Sequence, residues 1–444
     1  MARLFGTDGV RGVANTELTC DLAFKLGQAA VAFQGKTILI GKDTRLSGDM
    51  LESSVAAGVM SMGGTALLAG IIPTPAIALL VRELHCDGGV VISASHNPPE
   101  YNGIKLFDAQ GFKLPDAVED DIEAFVVRGG AAAEELPAGG AVGVTLPVED
   151  ACELYIAHAV STVERDGIDL SGLKVALDVG HGASCMTSAE ALRRLGAEVV
   201  VINEDFDGTD INVQCGSTHL GPVRDLVAEI GADVGIAHDG DADRVMLVDA
   251  QGNEIDGDVV ETVCAIDLKQ RDLLPGNTAV STVMCNLGLT HALRDAGIEL
   301  IQTKVGDRYV LEAMRKGGFV VGGEQSGHMI FLEHNSTGDG LVTALQFLAA
   351  CKRAGKSVED AASVMTRFPQ TLINVKVQDK HAVDGNDVVQ AAVRAAEDAL
   401  GDSGRVLLRP SGTEPVVRVM VEAADLETAR RYADAVAKVV EAEL

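Results

Sequence analysis

Val234-Gly235-Ile236-Ala237-His238-Asp239-Gly240-Asp241-Ala242-Asp243-Arg244-Val245-Met246-Leu247-Val248 is the stretch on which the reading of this chain turns. Apolar segments flank the acids on both sides, so the acids occupy a turn between two strands. Three carboxylates at alternate positions, Asp239, Asp241 and Asp243, can converge on one divalent cation. An oxygen-only ligand set of this kind suits hard cations such as Mg2+, which take a few carboxylates and leave positions for water or a phosphate oxygen. A solvated Asp/Gly turn is the plain alternative; Arg244 at the end of the run and a second motif, described below, weigh against it.

Working outward, short apolar strand candidates alternate with longer helical patterns over most of the chain, the signature of stacked α/β units. The first unit holds strand candidates at 37–40 and 89–92 and helical patterns at 21–33, 49–62 and 116–127. Residues 128–143, rich in Gly and Ala and broken by Pro137, read as a linker. A helix from 148 opens the second unit, which continues through 174–178 and 198–202 to the acidic turn. The third follows with strands at 278–283, 299–303 and 319–323 and a helix at 338–354. In each unit strands end in polar, glycine-containing loops, which predicts internal repetition and three functional loops at strand carboxyl ends, where α/β sheets place their ligands.

The remainder is different: strands at 372–377, 404–408 and 416–421 around helices at 387–400 and 425–442 predict a small α+β lobe. The expected domains are 1–145, with a serine-bearing loop; 146–250, with the acidic loop; 251–366; and 367–444.

The 444 residues exceed what a single core organises, and length alone suggests roughly three units. With 47% hydrophobic and 23% charged residues the chain is globular rather than disordered. A formal charge of -29 argues against a general nucleic-acid or anionic-membrane binder and requires a local basic pocket for any anionic substrate. The eight cysteines are scattered without a Cys-x-x-Cys pair and read as reduced. No apolar stretch approaches the roughly 20 residues of a membrane span and the start lacks a signal-peptide core, so a cytoplasmic protein is expected.

The second motif is Ser93-Ala94-Ser95-His96-Asn97-Pro98-Pro99-Glu100-Tyr101-Asn102-Gly103-Ile104-Lys105, which begins where the apolar strand Val90-Val91-Ile92 ends. Two prolines and Asn97 predict a rigid, non-helical loop able to hold a hydroxyl, or its phosphate, in one geometry. An ordinary Ser/Asn/Pro turn is the alternative. A phosphorylated Ser95 would bring charge and strong acceptor oxygens, and would complete the coordination of a cation held by Asp239, Asp241 and Asp243.

Four loops together, the Ser-His-Asn-Pro loop, Asp239 to Arg244, Gly323-Glu324-Gln325-Ser326-Gly327-His328 and Arg409-Pro410-Ser411-Gly412-Thr413-Glu414-Pro415, occur in the order seen in the α-D-phosphohexomutases, which the whole chain resembles. Phe5-Gly6-Thr7-Asp8-Gly9-Val10-Arg11-Gly12, Lys304-Val305-Gly306-Asp307-Arg308-Tyr309 and Gln325 are most similar to the bacterial branch that interconverts glucosamine 6-phosphate and glucosamine 1-phosphate. The resemblance implies an α/β fold of four-domain phosphohexomutase architecture: three related α/β domains plus a C-terminal α+β lobe around a central cleft. It implies a phosphorylated Ser95 and one Mg2+ per chain, held by that phosphate with Asp239, Asp241 and Asp243. Glucosamine 1,6-bisphosphate is the implied intermediate and activator. Glu324 and Ser326 would grip sugar hydroxyls with His328 beside them, and Arg409, Ser411, Gly412, Thr413 and Arg418 would bind the phosphate that does not react.

The residue types suit these roles. Arginine offers a planar fork to phosphate, and the Ser-Gly-Thr run adds hydroxyls and open backbone N–H groups; surface ion pairing is the alternative for Arg409 and Arg418, and a structural hydrogen bond for His328. Lys105 is a candidate general acid or base if cationic surroundings lower its pKa. Arg11, always charged, is assigned to stabilising the transferring group, and His96 is counted with Ser95 in the catalytic set. Arg244 would pair with the aspartates or the phosphoserine, and with Lys304 and Arg308 supplies the basic pocket. The expected partner is a phosphosugar, with no nucleic acid and no membrane; a homodimer stays open. A phosphoglucomutase or phosphomannomutase activity is the nearest rival reading, and a non-catalytic phosphosugar-binding protein a more distant one.

Overall fold

The acidic stretch folds as read: Val234–His238 and Val245–Asp249 are antiparallel strands joined by the aspartate turn. The computed structural model describes residues 4–6, 8–133, 136–411 and 415–444. They form two compact units, Met1–Met284 with Gly297–Val364, and Cys285–Ala296 with Met365–Leu444.

Three sheets make up the first unit. The first contains β1 (Val10–Val13), β2 (Thr37–Lys42), β3 (Thr65–Ile71), β4 (Gly88–Ile92), β5 (Tyr101–Asp108) and β6 (Val144–Pro147), in the order β1-β5-β4-β2-β3-β6. β7 (Lys174–Asp178), β8 (Glu198–Ile202), β9 (Val234–His238), β10 (Val245–Asp249) and β11 (Glu254–Ile255) form the second, ordered β11-β10-β9-β7-β8. The third joins β12 (Thr278–Thr282), β13 (Glu299–Thr303), β14 (Val321–Gly323) and β15 (Met329–Phe331) as β13-β12-β14-β15.

One pattern underlies all three. Three strands run parallel, joined in the first sheet by β6 as a fourth, and the third of them, β4, β9 or β14, turns back into an antiparallel partner, β5, β10 or β15. β4, β9 and β14 are buried along their whole length, as expected of central parallel strands read from continuous apolar runs. The turns at their carboxyl ends carry Ser95, the three aspartates and Glu324. The predicted repetition is thus a repeated topology that delivers one functional loop per sheet.

Two elements differ from the reading. Residues 101–105, expected as part of a rigid loop, belong to β5, which pairs with β4 on one side and β1 on the other and is buried from Asn102 to Phe107. Its Asn102 and Lys105 hide an apolar pattern, because their polar ends find partners inside the protein. The linker at 128–143 leads into β6, which pairs with β3, so the boundary expected after residue 145 falls within a strand.

In the second unit β16 (Gln370–Lys376), β17 (Gly404–Pro410) and β18 (Val416–Ala423) form an antiparallel sheet in the order β16-β18-β17. The helices Asp387–Leu400 and Leu426–Glu443 cover it, burying Val389, Ala396, Val419, Val421 and Val436 among others. Glu422 fixes the added segment: its buried carboxylate accepts from Asn286 Nδ2 (3.0 Å), the Leu287 N–H (3.0 Å) and Arg405 Nε (2.6 Å). Among the described residues no helix is long and apolar enough to cross a membrane.

Candidate functional site

Two loops 144 residues apart in sequence meet at one hydrogen bond: Ser95 Oγ donates to Asp239 Oδ2 at 2.6 Å. Both side chains are buried, and so are Asp241 and Asp243. A close backbone approach permits the meeting. A Cβ on Gly240 would lie 2.8 Å from the Ser95 carbonyl oxygen, so only glycine between Asp239 and Asp241 lets the serine loop rest on the acidic turn. Ser95 itself holds φ at 53° and Ala242 at 55°, left-handed values that cost a non-glycine residue roughly 1–3 kcal/mol.

Carboxylate oxygens of Asp239, Asp241 and Asp243 lie within 4.8 Å of one another. Asp241 Oδ2 accepts from Thr74 Oγ1 (2.6 Å) and Lys105 Nζ (2.8 Å), while Asp241 Oδ1 has no hydrogen-bond partner. Burial, with Asp243 and Asp241 as negative neighbours, pushes the Asp239 carboxyl well above the usual range. For Asp243 burial acts the same way, but Lys105 and His328 outweigh it and the carboxyl sits well below that range. Crowded carboxylates, one carrying a buried oxygen without a donor, fit a small hard cation: a metal would take up charge that the protein leaves uncompensated.

Lys105 reverses its expectation. Its Nζ lies 2.8 Å from Asp241, 3.0 Å from Asp8 and 3.4 Å from Asp243. Burial alone would depress the ammonium, yet these three carboxylates raise its pKa, the opposite of the cationic surroundings that a lysine base requires. β5 explains the placement, since the strand carries Lys105 beneath the acidic turn. His96, whose Nδ1 is 3.4 Å from Ser95 Oγ, is depressed to about 4 by burial and by Arg244 and Arg11, so its imidazole is neutral at physiological pH.

A ring of alternating charge continues from Lys105. Asp8 pairs with Lys105, Arg11 and Lys113; Lys113 Nζ reaches Asp307 Oδ2 at 2.6 Å; His328 lies 3.5 Å from Asp307 through Nε2 and 3.5 Å from Asp243 through Nδ1. Burial would raise Asp8, but Lys105, Lys113 and Arg11 hold it well below the ordinary carboxylate range. Burial would lower His328, and Asp243 and Asp307 turn the shift upward. Of this ring the sequence suggested Lys105, Arg11, His328 and Asp243. Asp8 and Asp307 stood unremarked inside motifs already quoted, and neither Lys113 nor Thr74 had a local signal.

The ring borders a cleft of about 570 Å³ whose lining includes Arg11, His96, Arg244, Glu324 and His328. Glu324 Oε1 accepts from the Gly306 N–H at 3.1 Å. Its turn leans on the start of β10: Val245 N–H donates to the Gly327 carbonyl at 3.1 Å, and a Cβ on Gly327, where φ is 86°, would lie 2.1 Å from the Val245 oxygen. Arg244 is half-buried, with Nε 3.7 Å from Asp243 Oδ1. Ser326 and Lys304 are exposed, and neither lines this cleft. Arg308, expected in the basic pocket, faces a neighbouring cavity and pairs with Asp116 and Glu119 of the helix Asp116–Val127 instead. Those acids, one helical turn apart, recruit it.

In the second unit Arg409 and Arg418 stand directly opposite each other on β17 and β18. Burial and the Arg418 charge both lower Arg409, so the pair forms an electropositive patch suited to an anion. Ser411 is buried beside them, and its carbonyl accepts from Lys380 Nζ at 2.6 Å, a cation the sequence had not suggested. Gly412 and Thr413 lie outside the described residues.

Comparison with known proteins gives consistent results along the whole chain. Family models described as phosphoglucomutase/phosphomannomutase alpha/beta/alpha domains I, II and III match residues 2–132, 153–252 and 256–368, and the model of the C-terminal domain matches 372–439. The chain is 52% identical over 450 residues to the phosphoglucosamine mutase of Clostridium novyi (strain NT), covering 99% of both. It is 52% identical over 447 residues to that of Rhodococcus jostii (strain RHA1), again covering 99% of both. A phosphoglucomutase/phosphomannomutase family protein from Burkholderia thailandensis shares the fold, with a TM-score of 0.83 at 24% identity over 99% of this chain and 97% of that one.

Proposed function

The chain belongs to the α-D-phosphohexomutases, in the branch of the phosphoglucosamine mutases, and from that premise we propose how its own residues carry the interconversion of glucosamine 6-phosphate and glucosamine 1-phosphate. A phosphorylated Ser95 gives its phosphoryl group to the free hydroxyl of the sugar phosphate: the bond from phosphorus to Oγ breaks, a bond to the sugar oxygen forms, and the proton that this hydroxyl gives up is matched by the one that the freed Ser95 oxygen takes. The 1,6-bisphosphate turns over and returns its other phosphoryl group to Ser95. The observation that carries this reading is the buried Ser95 hydroxyl 2.6 Å from Asp239, on the two loops whose next members, His96 and Asp243, line the cleft.

Asp239, Asp241 and Asp243, with the Ser95 phosphate, would hold one Mg2+, which when bound draws charge from the phosphoryl group. Lys105 and Arg11, both cationic, stabilise the equatorial oxygens as charge spreads over them. His96 stays neutral and leaves that field undiluted. Glu324 accepts from sugar hydroxyls, with His328 beside it, and Arg244 adds positive charge for the phosphates. Arg409, Ser411 and Arg418, with Gly412 and Thr413, take the phosphate that is not being transferred. Eight free thiols suit the reducing cytoplasm.

Turnover of glucosamine 6-phosphate, glucose 6-phosphate and mannose 6-phosphate tests the sugar. The amino sugar is expected to give the highest kcat/KM, and a clear preference for either neutral sugar overturns the assignment. A second expectation concerns the metal. Because the folded protein raises the Asp239 pKa, this carboxyl supports the fold fully below its unfolded value of about 3.9, and the support is lost as pH rises through the folded value. Cation binding requires the carboxylate and removes that penalty. At about 100 times its Kd, Mg2+ is expected to add about 2.7 kcal/mol of stability near pH 8 and less near pH 5. Scanning calorimetry with and without Mg2+ at both pH values reads the difference, and equal increments would contradict the three-aspartate site.

A further inference from the structure

The loop that carries Ser95 hangs from one side chain. Arg45, only 2% exposed, donates through Nη2 to the carbonyls of Ser95 (2.9 Å) and Asn97 (2.7 Å) and through Nη1 to those of Pro98 (2.5 Å) and Tyr101 (2.9 Å). Its Nε donates to Asp43 Oδ2 at 2.9 Å, so all five guanidinium donors are spent. The same Asp43 oxygen accepts from Ser93 Oγ (2.6 Å), and Ser93 Oγ accepts from the Ser95 N–H (2.9 Å). One ion pair therefore holds both polar groups of the Ser95 backbone, the carbonyl directly and the N–H through Ser93. From a turn in the connection that follows β8, Asn212 Nδ2 adds bonds to the Ser95 carbonyl (2.9 Å) and the Asn97 carbonyl (3.2 Å).

A fully buried ion pair is a poor device for stability alone, since well-packed apolar residues of the same volume often serve as well or better. It is a good device for fixing a strained conformation. Ser95, at φ 53°, keeps its left-handed backbone only if its surroundings over-determine it. We propose, on the reading that Ser95 is the phosphoryl carrier, that Arg45 and Asp43, assisted by Asn212, are positioning residues that aim the Ser95 oxygen at the acidic turn for transfer. None of the three needs to touch the sugar. Lysine cannot replace Arg45, because three donors on one nitrogen do not reach four carbonyls and a carboxylate spread around a planar fork.

Arg45→Lys and Asn212→Ala test this in the full-length enzyme. Intact mass gives the fraction of Ser95 that glucose 1,6-bisphosphate phosphorylates, and rates are normalised to that fraction, so unfolded protein drops out. Arg45→Lys is expected to lower normalised kcat by about 10²-fold with KM within about threefold, the pattern of a misaligned group rather than lost binding. Asn212→Ala, a smaller loss at a half-buried site, is expected to lower it by roughly tenfold. Wild-type normalised kcat in Arg45→Lys overturns the clamp; should that variant fail to fold, unchanged normalised kcat in Asn212→Ala overturns it. A wild-type enzyme that turns over with no phosphate ever found on Ser95 overturns the phosphoserine carrier and the clamp together.

Discussion

Ser95→Ala is expected to lower turnover by about 10⁴-fold or more while leaving the protein folded, because no other hydroxyl stands where the phosphoryl group must rest between the two transfers. The neighbouring Ser93 cannot substitute: its Oγ is committed to Asp43 and to the Ser95 N–H. The cost to the fold is moderate. The variant leaves the buried Asp239 Oδ2 without its donor and keeps the same backbone strain, so stability should fall by about 1–3 kcal/mol. Sugar phosphate should still bind, since Glu324, Arg11 and Arg244 remain around the cleft. Steady-state turnover, equilibrium binding and thermal unfolding of the same preparation separate the three quantities. Substantial turnover in Ser95→Ala would refute the phosphoenzyme, and a wild type that binds without turnover would favour a phosphosugar-binding protein.

The parts of this molecule that were legible in sequence are those in which local pattern and final environment agree. Lys174–Asp178 and Glu198–Ile202 begin and end where their apolar runs do, and Asp387–Leu400 follows the helical period between Asn386, which caps it, and Gly401. The acidic turn was legible because its residues do their work within six positions of one another. What escaped the reading depends on distant partners. β5 hid behind Asn102 and Lys105, polar residues tolerated in a buried strand only because Ser47 and the aspartates meet them there. Thr74 reaches Asp241 across 167 positions, and Arg45 grips a loop about 50 residues ahead of it. Arg308 shows the converse error: a basic residue beside a substrate-like motif, claimed instead by Asp116 and Glu119.

Asp241→Asn isolates the charge of the metal site from its shape. Asparagine keeps the volume of aspartate, and its carbonyl oxygen can take the Oδ2 position, where Thr74 Oγ1 and Lys105 Nζ both donate. The amide nitrogen then occupies the place of Oδ1, the oxygen that has no partner, and presents two donors where a cation needs an acceptor. Mg2+ affinity should fall by about 10²-fold, and turnover at the wild type's saturating metal by at least a similar factor. The fold should not suffer, because Lys105 keeps Asp8 and Asp243 while Asp239 loses a negative neighbour. The metal-free variant is therefore expected to melt no lower than the metal-free wild type, and added Mg2+ to raise its melting temperature far less. Calorimetric titration of Mg2+ and melting with and without it give the two readings. An unchanged metal response would show that Asp241 is no ligand; a large loss of metal-free stability would show that its charge serves the buried Lys105 rather than a cation.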